Sequence, residues 1–446
     1  MRKWVWILAL WLAGLAPAAA LVGGRYGDVE ALAPAGAPRG LVILFSDKGG
    51  LEPSDRARLQ AIAKAGAIAV GVNTSAYLAN LAQDAPGCLS LFEDAEALSR
   101  ELQREHPAAL YRVPIVAGEG LGGALAGAIV AQSPLQTVGG AVSFDPAAGP
   151  LTTRDLCPRP LEADDRVGPG TPDVPNLKNP WLVALTPAAP AAVRAHFAEF
   201  GRKIPRLELR DLAAPPDGEA FAALLKPFLA PEPVTTIEGL PLVEMPAQTH
   251  TRRMAVFLSG DGGWRDVDKR VSEKLQQLGV SVVGWDSLRY FWRRKTPDET
   301  AADLAAVLSA YTQKWDCDEV ALIGFSFGAD VTPFLYDRLD EAWRKRISQI
   351  SLMSPGVAAD WEIQVAGWFG AGPSSAATPL APALGPIPGE KVQCFYGKLE
   401  ENNSCGLFAD KGAELFAKEG RHHLDGDYDL IARQIFEGFL QRTARP

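Results

Sequence analysis

Residues Val320–Asp330 read VALIGFSFGAD, an apolar run that leads into a serine flanked by glycines. Gly324 and Gly328 bracket Ser326 with G-x-S-x-G spacing, and a helix is predicted over Ala329–Leu339. In a nucleophile elbow the two glycines let strand and helix pack closely around a strained turn, which raises the serine Oγ above the sheet. The stretch therefore predicts an α/β fold with a nucleophilic serine at position 326.

Short apolar runs alternate with helical stretches on both sides of the elbow, a pattern typical of βαβ units on a parallel sheet. In the C-terminal half the predicted strands are Met254–Ser259, Val280–Trp285, Val320–Gly324, Ile350–Met353 and Val392–Tyr396, and the predicted helices are Val267–Leu278, Pro297–Tyr311 and Ala329–Leu339. The N-terminal half repeats this order with strand Leu41–Phe45, helix Asp55–Ala65, strand Ile68–Val72, helix Phe92–Arg104 and strand Val113–Ala117.

Individual residues also repeat between the halves. The glycine turns SDKGG (46–50) and SGDGG (259–263) precede Tyr77 and Tyr290 by the same number of positions. Further along, Gly120 occupies the place of Ser326 in a second strand–elbow segment. The sequence thus predicts two tandem α/β-hydrolase-like domains with mostly parallel sheets, the first of which lacks the nucleophile. The predicted bounds are 21–230 for the first domain, 231–248 for a Pro-rich linker and 249–446 for the catalytic domain.

Composition and the N-terminus limit where such a protein works. The 446 residues are 47% hydrophobic and carry a formal net charge of -9, which argues against a general nucleic-acid binder. Basic Arg2 and Lys3, an apolar run and the small residues Ala18–Ala20 predict a signal peptide over residues 1–20, cut after Ala20. An uncleaved membrane anchor is the alternative. We expect export to the periplasm.

Five cysteines are read with that export in mind. No Cys or Cys/His spacing predicts a zinc site, and neither a metal nor an organic cofactor is implied. In an oxidising compartment Cys394 and Cys405 are the expected pair, closing a small loop. Cys88 with Cys157 is a weaker expectation, and Cys317 is expected to be a buried free thiol.

The remaining catalytic groups are sought in chain order after the serine. The amide of Phe327 and the glycine loop at Gly260 and Asp261 are the candidates for an oxyanion hole. An acid is expected after strand Val392–Tyr396, where Glu400 and Glu401 both qualify, and a base is expected later still. The two candidate bases are His422 and His423, of which His422 is preferred. The Cys394–Cys405 bridge would hold the acid loop.

A stretch rich in aromatic and basic residues follows the second predicted strand of the C-terminal half. Strand ends line the ligand crevice of open α/β sheets. Candidates for binding a phosphate and apolar lipid chains at a membrane surface are therefore Tyr290, Arg293 and Arg294. An ordinary surface loop with packed aromatic residues is the alternative.

Taken together, these segments resemble the AcvB/VirJ family of exported, virulence-associated bacterial proteins. The segments that carry the resemblance are LSGDGGW (Leu258–Trp264), GFSFGAD (Gly324–Asp330), YG-x-x-E-E (Tyr396–Glu401) and HH-x-DGDY (His422–Tyr428). A signal peptide followed by a copy without nucleophile and an intact copy is similar to the two-copy AcvB form.

The resemblance implies a serine hydrolase that removes the lysyl or alanyl group from aminoacyl-phosphatidylglycerol at the membrane surface. It implies Ser326 as nucleophile, with the acid and base among the Glu and His pairs named above. Besides the lipid substrate at the membrane surface, secretion machinery is a candidate partner. Two alternatives stay open: a general periplasmic carboxylesterase or peptidase, and a non-catalytic binding or scaffold protein linked to secretion.

Overall fold

The computed structural model describes residues 19–83, 87–106, 110–134, 137–149, 151–157, 177–229, 237–249, 251–364 and 373–444. Nearly all of the predicted signal peptide, residues 1–18, lies outside these ranges, as does the start of the predicted linker, residues 231–236. Among the described residues, no helix is both long and apolar enough to cross a membrane.

The N-terminal half folds around an eight-stranded sheet with strand order β1-β2-β4-β3-β5-β6-β7-β8. Strands β3 to β8 are parallel to one another, whereas β2 pairs antiparallel with both β1 and β4. The strands are β1 (Ala19–Val22), β2 (Asp28–Leu32), β3 (Leu41–Phe45), β4 (Ile68–Val72), β5 (Ile115–Glu119), β6 (Gly140–Phe144), β7 (Trp181–Leu185) and β8 (Leu207–Asp211).

The C-terminal half folds around a seven-stranded sheet, which is parallel except for the antiparallel edge strand β9. Its order is β17-β16-β13-β12-β10-β11-β9, and β14 and β15 form a separate ribbon. The strands are β9 (Leu242–Met245), β10 (Arg253–Leu258), β11 (Ser281–Trp285), β12 (Glu319–Phe325), β13 (Ile347–Met353), β14 (Ala358–Ala359), β15 (Thr378–Pro379), β16 (Val392–Gly397) and β17 (Glu414–Lys418).

Among the described residues, helices lie between most of the parallel strands that follow one another in the chain, as crossover connections commonly provide. Those of the N-terminal half are α1 (Pro53–Lys64), α2 (Thr74–Leu81), α3 (Phe92–Glu105), α4 (Gly120–Gln132), α5 (Ala191–Lys203) and α6 (Gly218–Leu225). Those of the C-terminal half are α7 (Val267–Gln277), α8 (Ser287–Tyr290), α9 (Pro297–Lys314), α10 (Phe327–Arg338), α11 (Glu341–Arg346), α12 (Ala381–Leu384) and α13 (Tyr428–Thr443).

The two sheets share one strand order. From β2 to β8 the order of the first sheet reproduces that of the second from β9 to β17, including the antiparallel edge. Each strand and helix predicted from the sequence is present, with ends that differ by at most three residues. The prediction of two α/β-hydrolase-like sheets is confirmed, and the common order supports their origin by duplication.

The elbow itself is repeated in backbone geometry. Ser326 has φ of 51°, and Gly120 has φ of 54° at the matching position before α4. A Cβ on Gly324 would lie 2.5 Å from the carbonyl oxygen of Gly328, so that residue 324 has to be glycine where strand and helix meet. Positive φ is rare for a residue with a side chain and is characteristic of strained functional turns.

The predicted linker 231–248 differs from expectation because it contains β9. Leu242–Met245 pairs antiparallel with β11, with Met245 opposite Val282 and Leu242 opposite Trp285. The Pro-rich composition indicated a loop, but proline is tolerated beside edge strands, which need only one ladder of hydrogen bonds. The segment therefore joins the sheet of the C-terminal half.

The two halves pack against each other through aromatic and basic side chains. Tyr111 of the first half is fully buried and belongs to the same apolar cluster as the core of the second half, where its ring lies 4.9 Å from that of Trp292. The guanidinium of Arg104 lies 4.1 Å from the centroid of the Trp292 ring. The N-terminal half is therefore packed against the core of the C-terminal half.

Both expected disulfides are present. Cys88 is bonded to Cys157 in the first half, and Cys394 is bonded to Cys405 in the second. Cys317 is free and buried, as predicted.

Candidate active site

A continuous chain of hydrogen bonds links a serine, a histidine and a glutamate at the carboxyl edge of the second sheet. The Nε2 of His422 lies 2.7 Å from the Oγ of Ser326, and its Nδ1 lies 2.7 Å from the Oε1 of Glu400. Ser326 follows β12, Glu400 follows β16 and His422 follows β17. This arrangement allows the imidazole to take the serine proton while the carboxylate stabilises the imidazolium that forms.

Glu400 is the carboxylate that the loop turns inward, and Glu401 is exposed to solvent. The Glu400 side chain is 11% exposed, and its Oε2 accepts a hydrogen bond from the Gly397 amide at 3.4 Å. The Cys394–Cys405 bridge encloses this loop at its two ends. Of the two sequence candidates for the acid, the structure thus brings Glu400 to the histidine.

His422 and His423 point in different directions, as expected for neighbours in an extended segment. The His422 main-chain carbonyl accepts a hydrogen bond of 2.7 Å from Ser354 Oγ, which fixes the backbone next to the imidazole. The His423 ring lies 6.0 Å from the His422 ring and is exposed at the mouth of the cleft. Partial desolvation and the neighbouring His422 lower the pKa of His423.

The glycine loop after β10 lies against the serine. A Cβ on Gly260 would come within 3.5 Å of the Ser326 Cβ, so that Gly260 and Asp261 border the nucleophile. Trp264 anchors the loop, since its ring is 2% exposed and lies directly on Gly284 of β11. On the other side Phe327 begins α10, and the first amides of a helix have no partner within the helix. These amides suit a developing oxyanion.

Asp330 is a partly buried carboxyl in the first turn of α10, close after the serine, and the sequence reasoning did not single it out. Its Oδ1 accepts a hydrogen bond of 2.6 Å from the Gly356 amide, which ties the elbow helix to the loop after β13. Burial raises the pKa of Asp330 well above its ordinary value, and the nearby carboxylates of Asp261 and Asp360 add to the shift. The available signal was its place as the last residue of GFSFGAD.

The serine opens into a cleft of about 330 Å³ with charges of both signs. Asp261 and Asp266 line it together with Arg265 and with Arg100, which belongs to the N-terminal half. Burial raises the pKa of Asp266. The other lining residues are Gly260, Gly262, Gly263, Val267, Asp268, Phe325, Ser326, His422 and His423. Among the described residues, no group of His, Cys, Asp and Glu has the arrangement of a metal site.

Comparison with protein families gives a match for this half of the chain. Residues 252–443 match the model of the family described as bacterial virulence protein (VirJ). We call this half the VirJ domain after the family that it matches. All four segments that carried the resemblance in the sequence lie within the matched residues, and so does the whole triad. Comparison with curated protein sequences gives no match.

Several solved structures resemble one half of the chain. Est1E from Butyrivibrio proteoclasticus with bound ferulic acid is 16% identical over 47% of this chain and 98% of its own, with a TM-score of 0.34. The esterase Pf2001 from Pyrococcus furiosus is 16% identical over 46% and 90%, with a TM-score of 0.34. XC6422 from Xanthomonas campestris, described as an α/β serine hydrolase without lid, is 16% identical over 46% and 90%, with a TM-score of 0.30. The fold of the VirJ domain rests on its own strand order and elbow.

The predicted substrate-gripping residues do not reach the cleft of the VirJ domain. Tyr290 is buried and donates a hydrogen bond to Asp303, while Arg293 donates to the main-chain carbonyl of His106 in the N-terminal half. Arg294 is exposed, and none of the three lines the cleft as the described residues form it. The expectation was wrong because the segment that begins with α8 packs into the core at Tyr290 and against the N-terminal half at Arg293.

The elbow of the N-terminal half is blocked as well as lacking a serine. The Asp47 Oδ1 accepts a hydrogen bond of 2.8 Å from the Leu121 amide, the counterpart of the Phe327 amide in the VirJ domain. A Cβ on Gly120 would lie 2.3 Å from that oxygen. A carboxylate of the chain itself therefore occupies the position of an oxyanion.

Proposed function

We propose that this protein is an exported serine hydrolase that cleaves the aminoacyl ester of aminoacyl-phosphatidylglycerol, in its lysyl or alanyl form, at the membrane surface. The hydrogen-bonded chain from Ser326 through His422 to Glu400 carries the proposal, because that geometry has a chemical use only if the serine is a nucleophile. The match of the C-terminal half to the VirJ family supports a hydrolase.

In the proposed reaction Ser326 Oγ attacks the ester carbonyl carbon, and His422 Nε2 takes the hydroxyl proton. The tetrahedral oxyanion is stabilised by the Phe327 amide and by the loop at Gly260 and Asp261. Collapse breaks the bond to the glycerol oxygen, which leaves as an alcohol with the proton from His422. Water then attacks the aminoacyl-serine ester with His422 as base, which releases the free amino acid and restores Ser326.

The charges of the cleft support an aminoacyl phospholipid as substrate. Such a lipid has an ammonium group on the acyl side of its ester and a phosphodiester on the alcohol side. The cleft offers carboxylates at Asp261 and Asp266 and guanidiniums at Arg100 and Arg265. About 330 Å³ is enough for a headgroup and excludes the acyl chains, so the lipid tails would stay in the bilayer. An exported protein can reach this ester without spanning the membrane.

The test uses purified mature protein, Ser326→Ala and liposomes that contain lysyl- or alanyl-phosphatidylglycerol, with release of free amino acid as the readout. We expect release by the wild type and a loss of at least about 10³-fold in Ser326→Ala. Liposomes of unmodified phosphatidylglycerol are the blank, and the ratio of the two rates gives the preferred aminoacyl group.

Two other results would each replace the proposal. Turnover of a small soluble ester that depends on Ser326, without any release from liposomes, would indicate a general carboxylesterase. Failure of a fluorophosphonate to label Ser326 in the wild type would indicate a binding or scaffold protein linked to secretion.

A further inference from the structure

One wall of the VirJ cleft comes from the other half of the chain. Arg100 lies on α3 of the N-terminal half and lines the same cleft as Ser326 and the two histidines. Its side chain is only 10% exposed, although it is more than two hundred residues away from the serine in sequence. The half that lacks a nucleophile therefore contributes a charge to the site of the half that has one.

A carboxylate shared between the halves holds this wall in place. Glu96, one helical turn before Arg100, accepts a hydrogen bond of 3.2 Å from Arg100 Nη2 and bonds of 2.9 and 3.1 Å from Arg265 Nη1. The Glu96 side chain is 7% exposed. Two guanidiniums thus share the carboxylate of Glu96 at this wall, in a setting where water solvates a buried charge poorly.

The two arginines have different positions. Arg265 lies under the glycine loop, since a Cβ on Gly262 would come within 3.2 Å of its Nη2. Its Nη1 contacts both oxygens of Glu96, so that Arg265 joins the oxyanion loop to α3. Arg100 has no such place beneath the loop and borders the cleft from the opposite half. Arginine is the side chain best suited to bind phosphate oxygens bidentately.

We propose that Arg100 binds the anionic group of the substrate, so that the N-terminal half completes the substrate site of the VirJ domain. This inference rests on the proposed function, and it identifies the anion as the phosphodiester next to the ester that Ser326 attacks. Arg100 thus determines specificity, and Glu96 and Arg265 are positioning residues.

Arg104 offers a matched control on the same helix, one turn after Arg100. It donates hydrogen bonds to the main-chain carbonyls of Trp292 at 2.6 Å and Ile363 at 2.7 Å, and it pairs with Glu362 at 2.9 Å. It does not line the cleft. Arg104→Ala weakens the contact between the halves without removing charge from the site.

The first arm compares lysyl-phosphatidylglycerol with a lysyl ester of diacylglycerol, which has the same acyl group and no phosphate. For Arg100→Ala we expect KM for the phospholipid to rise roughly 10- to 100-fold, as for the loss of a hydrogen bond to a charged group, with kcat within about twofold. KM for the phosphate-free ester should not change. Arg100→Lys should recover part of the loss, and Arg104→Ala should affect both esters alike. Equal losses on both esters for Arg100→Ala would overturn the proposal.

The second arm does not depend on the lipid being the substrate. Glycerol 3-phosphate and inorganic phosphate are tested as inhibitors of 4-nitrophenyl acetate hydrolysis, with fluorophosphonate labelling of Ser326 to verify that each variant keeps its site. Inhibition of the wild type and Arg104→Ala but not of Arg100→Ala supports the anion site even if no lipid is cleaved. Preference for glycerol 3-phosphate would indicate a headgroup, and equal inhibition would indicate free phosphate. Unchanged inhibition in Arg100→Ala would overturn the proposal.

Discussion

Adjacent glutamates after β16 have different surroundings, and this difference can be measured. Glu400 is in contact with His422 and the Gly397 amide, whereas Glu401 faces solvent. Glu400→Gln would lose the charge that stabilises the imidazolium, so we expect kcat to fall by about 10²- to 10⁴-fold. Glu401→Gln is the matched control and should stay within about twofold. The measurement is steady-state kinetics on a soluble ester. Equal losses of kcat in Glu400→Gln and Glu401→Gln would contradict the assignment of Glu400 as the acid.

The histidine pair gives a second test of the same kind. His422→Gln removes the group 2.7 Å from Ser326 Oγ, so we expect a loss of about 10³-fold or more in kcat together with loss of fluorophosphonate labelling. His423→Gln leaves the triad in place and should label at close to the wild-type rate. A large loss of labelling in His423→Gln, with labelling kept in His422→Gln, would show that His423 is the base.

Asp330 couples stability to pH. Burial raises its pKa, so the native protein holds a proton there that the unfolded chain releases above about pH 4. Stability therefore falls as the pH rises through and above that value, until it reaches the folded pKa. Asp330→Asn keeps an acceptor for the Gly356 amide and removes the titration. We expect its Tm to exceed that of wild type by a few degrees at pH 8 and by less near pH 4.

Exposed Asp410 is the control for this comparison, since Asp410→Asn should leave Tm unchanged at both pH values. A gain in Asp330→Asn that is the same at pH 4 and pH 8 would show that the change in stability does not come from the proton.

At the scale of elements, the acid loop between β16 and β17 depends on its covalent closure. The Cys394–Cys405 bridge spans eleven positions and encloses Glu400. Replacing both cysteines by alanine should lower the free energy of unfolding by about 2–4 kcal/mol and reduce kcat by about tenfold, because the acid is no longer held. Cys88→Ala with Cys157→Ala is the matched pair in the other half, where we expect a loss of stability with kcat largely kept. If both double variants lost kcat equally, the Cys394–Cys405 bridge would have no specific role in holding Glu400.

The elements that the sequence predicted are those with a local signal. Strand β12, the elbow and α10 are recognisable because the apolar run, the glycines and the serine lie within one stretch. Strand β9 escaped prediction because its edge position is set by pairing with β11, which is distant in sequence. The choice of Glu400 also depended on contacts that are distant in sequence, since Ser354 fixes the backbone of His422 and His422 meets Glu400. Aromatic and basic composition was misleading at Tyr290, where burial decides the direction of the side chain.

At the scale of the whole molecule, the first half has retained the fold and lost the chemistry in two ways. Gly120 replaces the serine, and the Asp47 carboxylate fills the space above it. Gly120→Ser should therefore displace Asp47 and lower stability by about 1–3 kcal/mol. In a Ser326→Ala background we expect no fluorophosphonate labelling of the new serine. Gly36→Ser, at a position with open space around it, should leave stability unchanged.

The contribution of the first half to the cleft was beyond the reach of sequence reasoning. Helix α3 was predicted, but the docking that brings Arg100 to Ser326 depends on contacts such as Tyr111 with Trp292 and Glu96 with Arg265. No periodicity or motif encodes which faces of two similar domains meet. The sequence could thus predict both sheets and the set of candidate catalytic residues, and the structure adds how one half shapes the site of the other.

Asp47 also has a consequence for the history of the chain. Regaining a nucleophile at position 120 would require an earlier or simultaneous change at Asp47, since a side chain at 120 collides with that carboxylate. A serine at position 120 alone would collide with Asp47 and cost stability. A change at Asp47 alone would supply no nucleophile. The missing serine and the position of Asp47 over the elbow thus reinforce each other, and a return to catalysis in this half would need two coordinated changes.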